Sequence, residues 1–182
     1  IVSDKRLFLA VNNSPAYLAS VYSGLILTDF YAETTVSINR CTGDDAYGML
    51  FRAGSEAYAY RLALNCSGQV RVDRLRGGET YPLQNWEASG DVPPGAPGAV
   101  KLGVWTAGAE LRFFLNDHYQ FTVLDPLFKS GSIGYFAESQ SALGMNVGFS
   151  DLVVNSVAYV SPTPTPTPSK TPLPSRTPRP TQ

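Results

Sequence analysis

The chain has 182 residues, with 14 Lys+Arg, 15 Asp+Glu, one histidine and 43% apolar composition. Lys170, Arg176 and Arg179 fall in the last twenty-two residues, which leaves eleven basic against fifteen acidic residues in the body. A mildly acidic body offers no basic field to a nucleic acid or an anionic membrane, and no run of eighteen apolar residues spans a bilayer. About 160 residues outside the tail suit one domain, burying roughly 70% of its unfolded surface.

Period-two alternation recurs along the body, and no long stretch keeps a helical period. Residues 5–11 and 17–22 are the first predicted strands. In the next, Phe30, Ala32, Thr34, Val36 and Ile38 alternate with Tyr31, Glu33, Thr35 and Ser37. Strands 47–52, 57–65 and 69–76 follow, with Ser67-Gly68 as a tight turn and Gly77-Gly78 as a terminator. The proline- and glycine-rich stretch 82–98 is expected to be a long loop carrying Trp86. Strands resume at 99–106 and 110–116, turn at Asn116-Asp117 into 118–124, and finish at 132–138 and 145–154. Ten or eleven strands at this spacing predict an all-β fold, a two-sheet antiparallel sandwich.

Cys41 and Cys66 are the two cysteines, each just past a strand-like run, with one strand between them. In an up-down-up meander the outer strands end on the same edge, where both thiols can meet. A Cys41–Cys66 disulfide would close a loop of about 25 residues, a stabilisation of ~3 kcal/mol on the chain-entropy model. Neither cysteine has a CxxC partner or a nearby histidine, which argues against metal. A disulfide points to an oxidising compartment.

Residues 161–182 read SPTPTPTPSKTPLPSRTPRPTQ and hold eight of the fourteen prolines. With no apolar face to bury, such a segment stays disordered, and alternating proline makes it a semi-rigid spacer of up to roughly 68 Å. The expected organisation is a β-sandwich over residues 1–160 on a Pro/Thr/Ser-rich linker or stalk over 161–182, in a secreted or cell-surface setting. The start at Ile1, without methionine or signal peptide, is expected of a mature form or an excised piece. Further domains upstream of Ile1 or beyond Gln182 stay open.

The segments DFYAETTVSI (29–38), CTGDDAYGMLFR (41–52), YRLALNCSGQVRV (60–72), LRFFLND (111–117), SGSIGYFAES (130–139) and VGFSDLVV (147–154) carry a resemblance by their order and spacing. The chain resembles the concanavalin A-like lectin/glucanase jelly roll. More narrowly, it is similar to bacterial modules related to the 3-keto-disaccharide hydrolase domain. The resemblance implies a jelly roll and sugar chemistry. Two departures stand out: only Asp151 follows Ser150 where the family often has two acids, and the opening strand is missing or cut short before Ile1.

Catalytic residues are not apparent. Retaining glucanases of the wider fold carry two carboxylates on one strand face, which must converge at ~5–5.5 Å. Here Glu33 stands among threonines without a second acid at that spacing. Asp44-Asp45 reads as a solvated turn or a calcium ligand pair, and one such pair is no calcium cage; Asp151 either caps an edge or binds metal. No cofactor is therefore assigned. His118 belongs to a hairpin turn, with no serine–acid constellation around it.

Strand phase is more informative. Val100, Leu102 and Val104, then Leu111, Phe113 and Leu115, then Tyr58, Tyr60, Leu62 and Leu64 should face between the sheets. The opposite phase holds Arg61, Trp105, Arg112 and Phe114, with Arg52 beside them and Trp86 over one rim. Arginines and aromatic rings on an outer face suit a glycan, whose C–H faces stack on rings while hydroxyls take hydrogen bonds. The bland alternative is a satellite core, with 82–98 packed over Trp105 and Phe114 and Trp86 as its plug. Arg52 and Arg61 can also simply pair with Glu33 or Asp73 across strands.

Three functions follow from these residues. The first is a non-catalytic extracellular module that binds glycan or polysaccharide, using Arg52, Arg61, Trp86, Trp105, Arg112 and Phe114. The second is a glycoside-active hydrolase of the keto-disaccharide kind, which requires at least two of Glu33, Asp44, Asp45 and Asp73 in one pocket. The third is a structural or sensing ectodomain with no small-molecule site.

Overall fold

The strands divide between two stacked antiparallel sheets, each burying one face against the other, as their period-two burial requires. In this computed structural model residues 2–3, 6–12 and 14–158 are described; the segment 161–182, expected to be a linker or stalk, lies outside them. The strands are β1 (Val2–Ser3), β2 (Arg6–Val11), β3 (Ala16–Val21), β4 (Phe30–Arg40), β5 (Gly43–Ser55), β6 (Tyr58–Cys66) and β7 (Gln69–Arg76). They continue as β8 (Glu79–Ala88), β9 (Gly98–Ala107), β10 (Glu110–Leu115), β11 (His118–Leu124), β12 (Ser132–Ser139) and β13 (Met145–Ser156). One sheet has seven strands in the order β1-β2-β13-β4-β9-β10-β11, and the other has six, β3-β12-β5-β6-β7-β8. The all-β sandwich expected from the sequence is the fold observed.

Alternation sets the core. In β4, Phe30, Ala32, Thr34, Val36 and Ile38 are all buried while the residues between them are half-buried. Val100, Leu102, Val104, Leu111, Phe113 and Leu115 extend the same inner face on β9 and β10, and Tyr47, Met49, Phe51, Tyr60, Leu62 and Leu64 close the core from the six-stranded sheet. Phe113 meets Phe51 edge-on at 5.9 Å and Phe121 at 5.3 Å. Tyr58, expected inside, is 48% exposed because it opens β6 at the rim of the sandwich. The turn at Asn116-Asp117 is as read: both residues have positive φ, 50° and 68°, the conformation of a tight two-residue hairpin.

Two expectations are corrected. The stretch 82–98 is not all loop, because residues up to Ala88 belong to β8, the outermost strand of the six-stranded sheet. Pro82 misled the reading; an edge strand tolerates proline because one row of its N–H groups needs no partner. The cysteines do not close a meander either. β4 lies in one sheet and β6 in the other, so Cys41–Cys66, with Cα atoms 5.7 Å apart, ties the two sheets together at one end of the sandwich.

Buried polar residues hold the two ends. Asp45 is fully buried and accepts five hydrogen bonds, from Thr42 N, Gln140 N, Ser141 N, Ser141 Oγ and Ser139 Oγ. Burial raises the affinity of its carboxyl for protons, but the hydrogen bonds outweigh burial and hold it below the ordinary carboxylate range. Arg52, 1% exposed with φ 45°, makes five donations that gather the segments around Thr28, Gly108 and Phe128, one of them to the Asp29 carboxylate at 3.1 Å.

Candidate functional site

The outer face of the six-stranded sheet carries a groove for a reason visible in its cross-strand rows. One row runs Ala19, Phe136, Gly48, Ala63 and Arg71 across β3, β12, β5, β6 and β7. A Cβ on Gly48 would lie 2.0 Å from the Leu62 carbonyl oxygen and 3.2 Å from the Phe136 ring, so only glycine lets that ring lie across β5. Ala46, Leu50, Ala59, Ala63, Leu75 and Phe136 form a buried apolar floor, with Trp86 packed at its margin. Small residues in the middle and long ones at the rims leave a groove.

Two adjoining cavities make up that groove. The larger, of about 480 Å³, is lined by Tyr17, Glu56, Arg61, Leu75, Thr80 and Glu138 among others. The second, of about 270 Å³, shares Arg61, Thr80 and Glu138 and adds Asp44, Arg71, Trp86 and Gln140. The larger alone falls in the range of ~300–1,000 Å³ usual for ligand sites.

Charge chemistry in the groove is built around Asp73. It is fully buried, and its Oδ2 accepts from Arg61 Nε at 3.0 Å and Arg61 Nη2 at 2.8 Å, while its Oδ1 accepts from Arg71 Nε. Arg61 also lies 3.5 Å from Glu138 through Nη1 and stacks over Phe136, 5.1 Å from the ring centroid. Tyr17 also stacks on Phe136, with ring centroids 5.8 Å apart. Burial, only partly offset by Arg61, pushes the Tyr17 phenol up to about 12, so it stays a neutral donor and acceptor. Arg71 sits 5.6 Å from the Trp86 ring. The groove thus offers aromatic rings, guanidinium N–H groups and carboxylate acceptors over an apolar floor.

The residues expected to act together are divided by the fold. Arg61 and Trp86 share this groove. Trp105, Arg112 and Phe114 lie on β9 and β10, on the outer face of the seven-stranded sheet. Arg52 is beside neither group, being enclosed at the end of the sandwich, and its charge pairs with Asp29 rather than Glu33. The cross-strand alternative holds for Arg61, which pairs with Asp73. Trp86 is on strand β8 and cannot plug a satellite core around Trp105, because the two belong to different sheets.

On the seven-stranded sheet, Tyr31, Trp105, Arg112 and Thr122 form one row across β4, β9, β10 and β11. The Arg112 guanidinium carbon stands 4.3 Å from the Trp105 ring centroid and the side chain is held by Glu110 at 2.7 Å. Phe114 meets Tyr31 and Tyr119 edge-on at 6.1 and 5.9 Å. Glu33 belongs to this face, where it accepts from Tyr31 at 3.0 Å and faces Lys101 at 3.6 Å. Of the four acids weighed for a hydrolase, Glu33 is on this face and Asp45 is inside the sandwich, while Asp44 lines the groove and Asp73 lies beneath its two arginines, saturated by their donations.

Sequence reasoning missed Tyr17, Glu56, Arg71, Thr80 and Glu138. Arg71 and Glu138 carried a usable signal, since each stands in the outward phase of its strand. Their convergence depends on β12 and β7 sharing one sheet, which alternation cannot reveal. Among the described residues no group of three or more His, Cys, Asp or Glu could hold a metal ion. Asp151 instead adopts φ 55° at a bulge in β13 and accepts from Ser150 Oγ. His118 opens β11, with Nδ1 2.8 Å from Asp91 Oδ1.

No protein-family model matches the sequence, and no curated protein sequence does. Solved structures do match the fold. The carbohydrate-binding module CBM66 from Bacillus subtilis is similar at 15% identity and a TM-score of 0.63, over 82% of this chain and 95% of that one. A Bacillus subtilis protein of unknown function with a galectin-like fold is similar at 14% identity and a TM-score of 0.61, over 84% and 83%. Sheep galectin-11, in complex with glycerol, is similar at 12% identity and a TM-score of 0.53, over 78% and 98%. The body shares the fold of these structures, a two-sheet antiparallel jelly-roll sandwich.

Proposed function

We propose that this module binds a glycan, without turning it over, in the groove of the six-stranded sheet. The observation that carries the reading is the groove itself: Arg61, Arg71, Glu138 and Tyr17 present hydrogen-bonding groups around an apolar floor beside the Trp86 ring. Rings stack on the C–H faces of sugars while fixed polar groups read hydroxyls. Similarity of fold to a carbohydrate-binding module and a galectin supports the same reading. Display outside the cytoplasm belongs to the proposal and is supported by the disulfide and by the composition of residues 161–182, read as a stalk.

A second placement of the glycan, across Trp105, Arg112 and Phe114, is favoured by the aromatic row those residues make with Tyr31 and Tyr119. A glycan array followed by calorimetry separates the two. With the groove as the site, Trp86→Ala weakens a hit about tenfold or more, while Trp105→Ala leaves it within about twofold. The reverse result moves the site to the seven-stranded sheet. Release of reducing ends from a bound polysaccharide would end the non-catalytic reading.

A further inference from the structure

We infer that the groove selects uncharged saccharides and rejects sulfated or carboxylated ones; this rests on the groove being the glycan site proposed above. Two arginines in a sugar groove would ordinarily suggest an anion receptor, because guanidinium forks match carboxylate and sulfate. Here the Arg61 fork is already occupied from within, and Arg71 is drawn to the same carboxylate through Nε. Asp73, fully buried, takes two donations from Arg61 and one from Arg71, and nothing in the solvent can displace it without unfolding the strand that carries it. A third Arg61 donor faces Glu138.

What remains to meet a ligand is acidic. Glu56 lines the larger cavity, Asp44 lines the smaller, and Glu138 lines both. Asp44 and Glu56 have no hydrogen-bond or ion-pair partner among the described residues, so their oxygens are free to accept hydroxyls. No lysine lines either cavity. With Asp73 included, four carboxylates face two guanidiniums, so a sulfate or uronate in the groove meets a lining of net negative charge. Juxtaposed like charges are among the strongest ways an interface excludes a ligand. Sugar hydroxyls, by contrast, can donate to the exposed Asp44 and Glu56 and to the half-buried Glu138, and accept from the remaining guanidinium N–H groups.

Affinity electrophoresis and calorimetry with matched polymers test this: dextran, galactan and xylan against dextran sulfate, polygalacturonate and glucuronoxylan. The expected result is retention by at least one neutral polymer, varying less than about twofold between low and high salt, with its charged counterpart at least about tenfold weaker. The double variant Asp44→Asn/Glu56→Gln should narrow that gap. Charged polymers that bind as well as the neutral ones, through a complex that salt weakens, would overturn the selectivity while leaving glycan binding in place. Selectivity that persists in full in the double variant would overturn its electrostatic origin. Failure of every polymer, neutral or charged, would take down the glycan reading and the selectivity together.

Discussion

Arg61 and Asp73 stand directly opposite each other on β6 and β7, with Arg61 Nη2 2.8 Å from a carboxylate oxygen that no solvent reaches. This pair forms the back wall of the groove and also neutralises it. Like-charged Arg61 and Arg71 can lie this close on one sheet face only because Asp73 sits between them.

Removing that carboxylate should be costly. Asp73→Ala leaves two guanidiniums facing each other over an apolar floor, and the expected loss is about 3–5 kcal/mol. Urea unfolding followed by tryptophan fluorescence measures it. A loss below about 1 kcal/mol would mean that the guanidiniums swing out to solvent and that Asp73 does not organise the wall.

Arg52 should behave as a structural residue. Its five donations end on backbone carbonyls and Asp29 at the end of the sandwich, away from the groove. Arg52→Ala orphans those acceptors and is expected to lower stability by about 3–5 kcal/mol. Glycan affinity per folded molecule should not change, which calorimetry at a temperature well below the transition can read.

The disulfide spans 25 residues and joins the sheets, so its loss frees the denatured chain and unclamps the sandwich. Cys41→Ser/Cys66→Ser should cost about 3 kcal/mol, or roughly 6–12 °C in Tm. The wild type in dithiothreitol should melt at the same lowered temperature in a calorimetric scan.

Acid should unfold the protein partly through Asp45. Its folded-state carboxyl titrates below the ordinary value, so its contribution is fully present above the unfolded-state pKa of about 3.9 and is lost as pH falls through the lower folded value. Asp45→Asn removes that charge. The variant should be less stable at neutral pH and show a flatter fall in stability below about pH 4 than the wild type, as followed by denaturation midpoints across pH.

Much of this was legible in the residues themselves. The alternation in Phe30 to Ile38, in Val100 to Val104 and in Leu111 to Leu115 reported strand and inward face together, because in a strand both depend on one period of two. Alternation also put Arg61, Trp105, Arg112 and Phe114 outside. It says nothing about which sheet a strand joins, since that choice is made by hydrogen bonds between segments far apart in sequence. Trp86 and Trp105 were therefore grouped although they lie on opposite faces, and Glu138 and Arg71 were passed over although β12 and β7 bring them to one groove. Arg52 shows the remaining limit. Its outward-looking phase ends at a bulge where φ is 45°, and the side chain turns into carbonyls supplied by Thr28, Gly108 and Phe128. Sequence by itself determined that this chain makes an all-β sandwich with a bridged pair of cysteines. Only the tertiary structure decided which outward residues share a surface, because pairing order, not periodicity, sets what lies beside what.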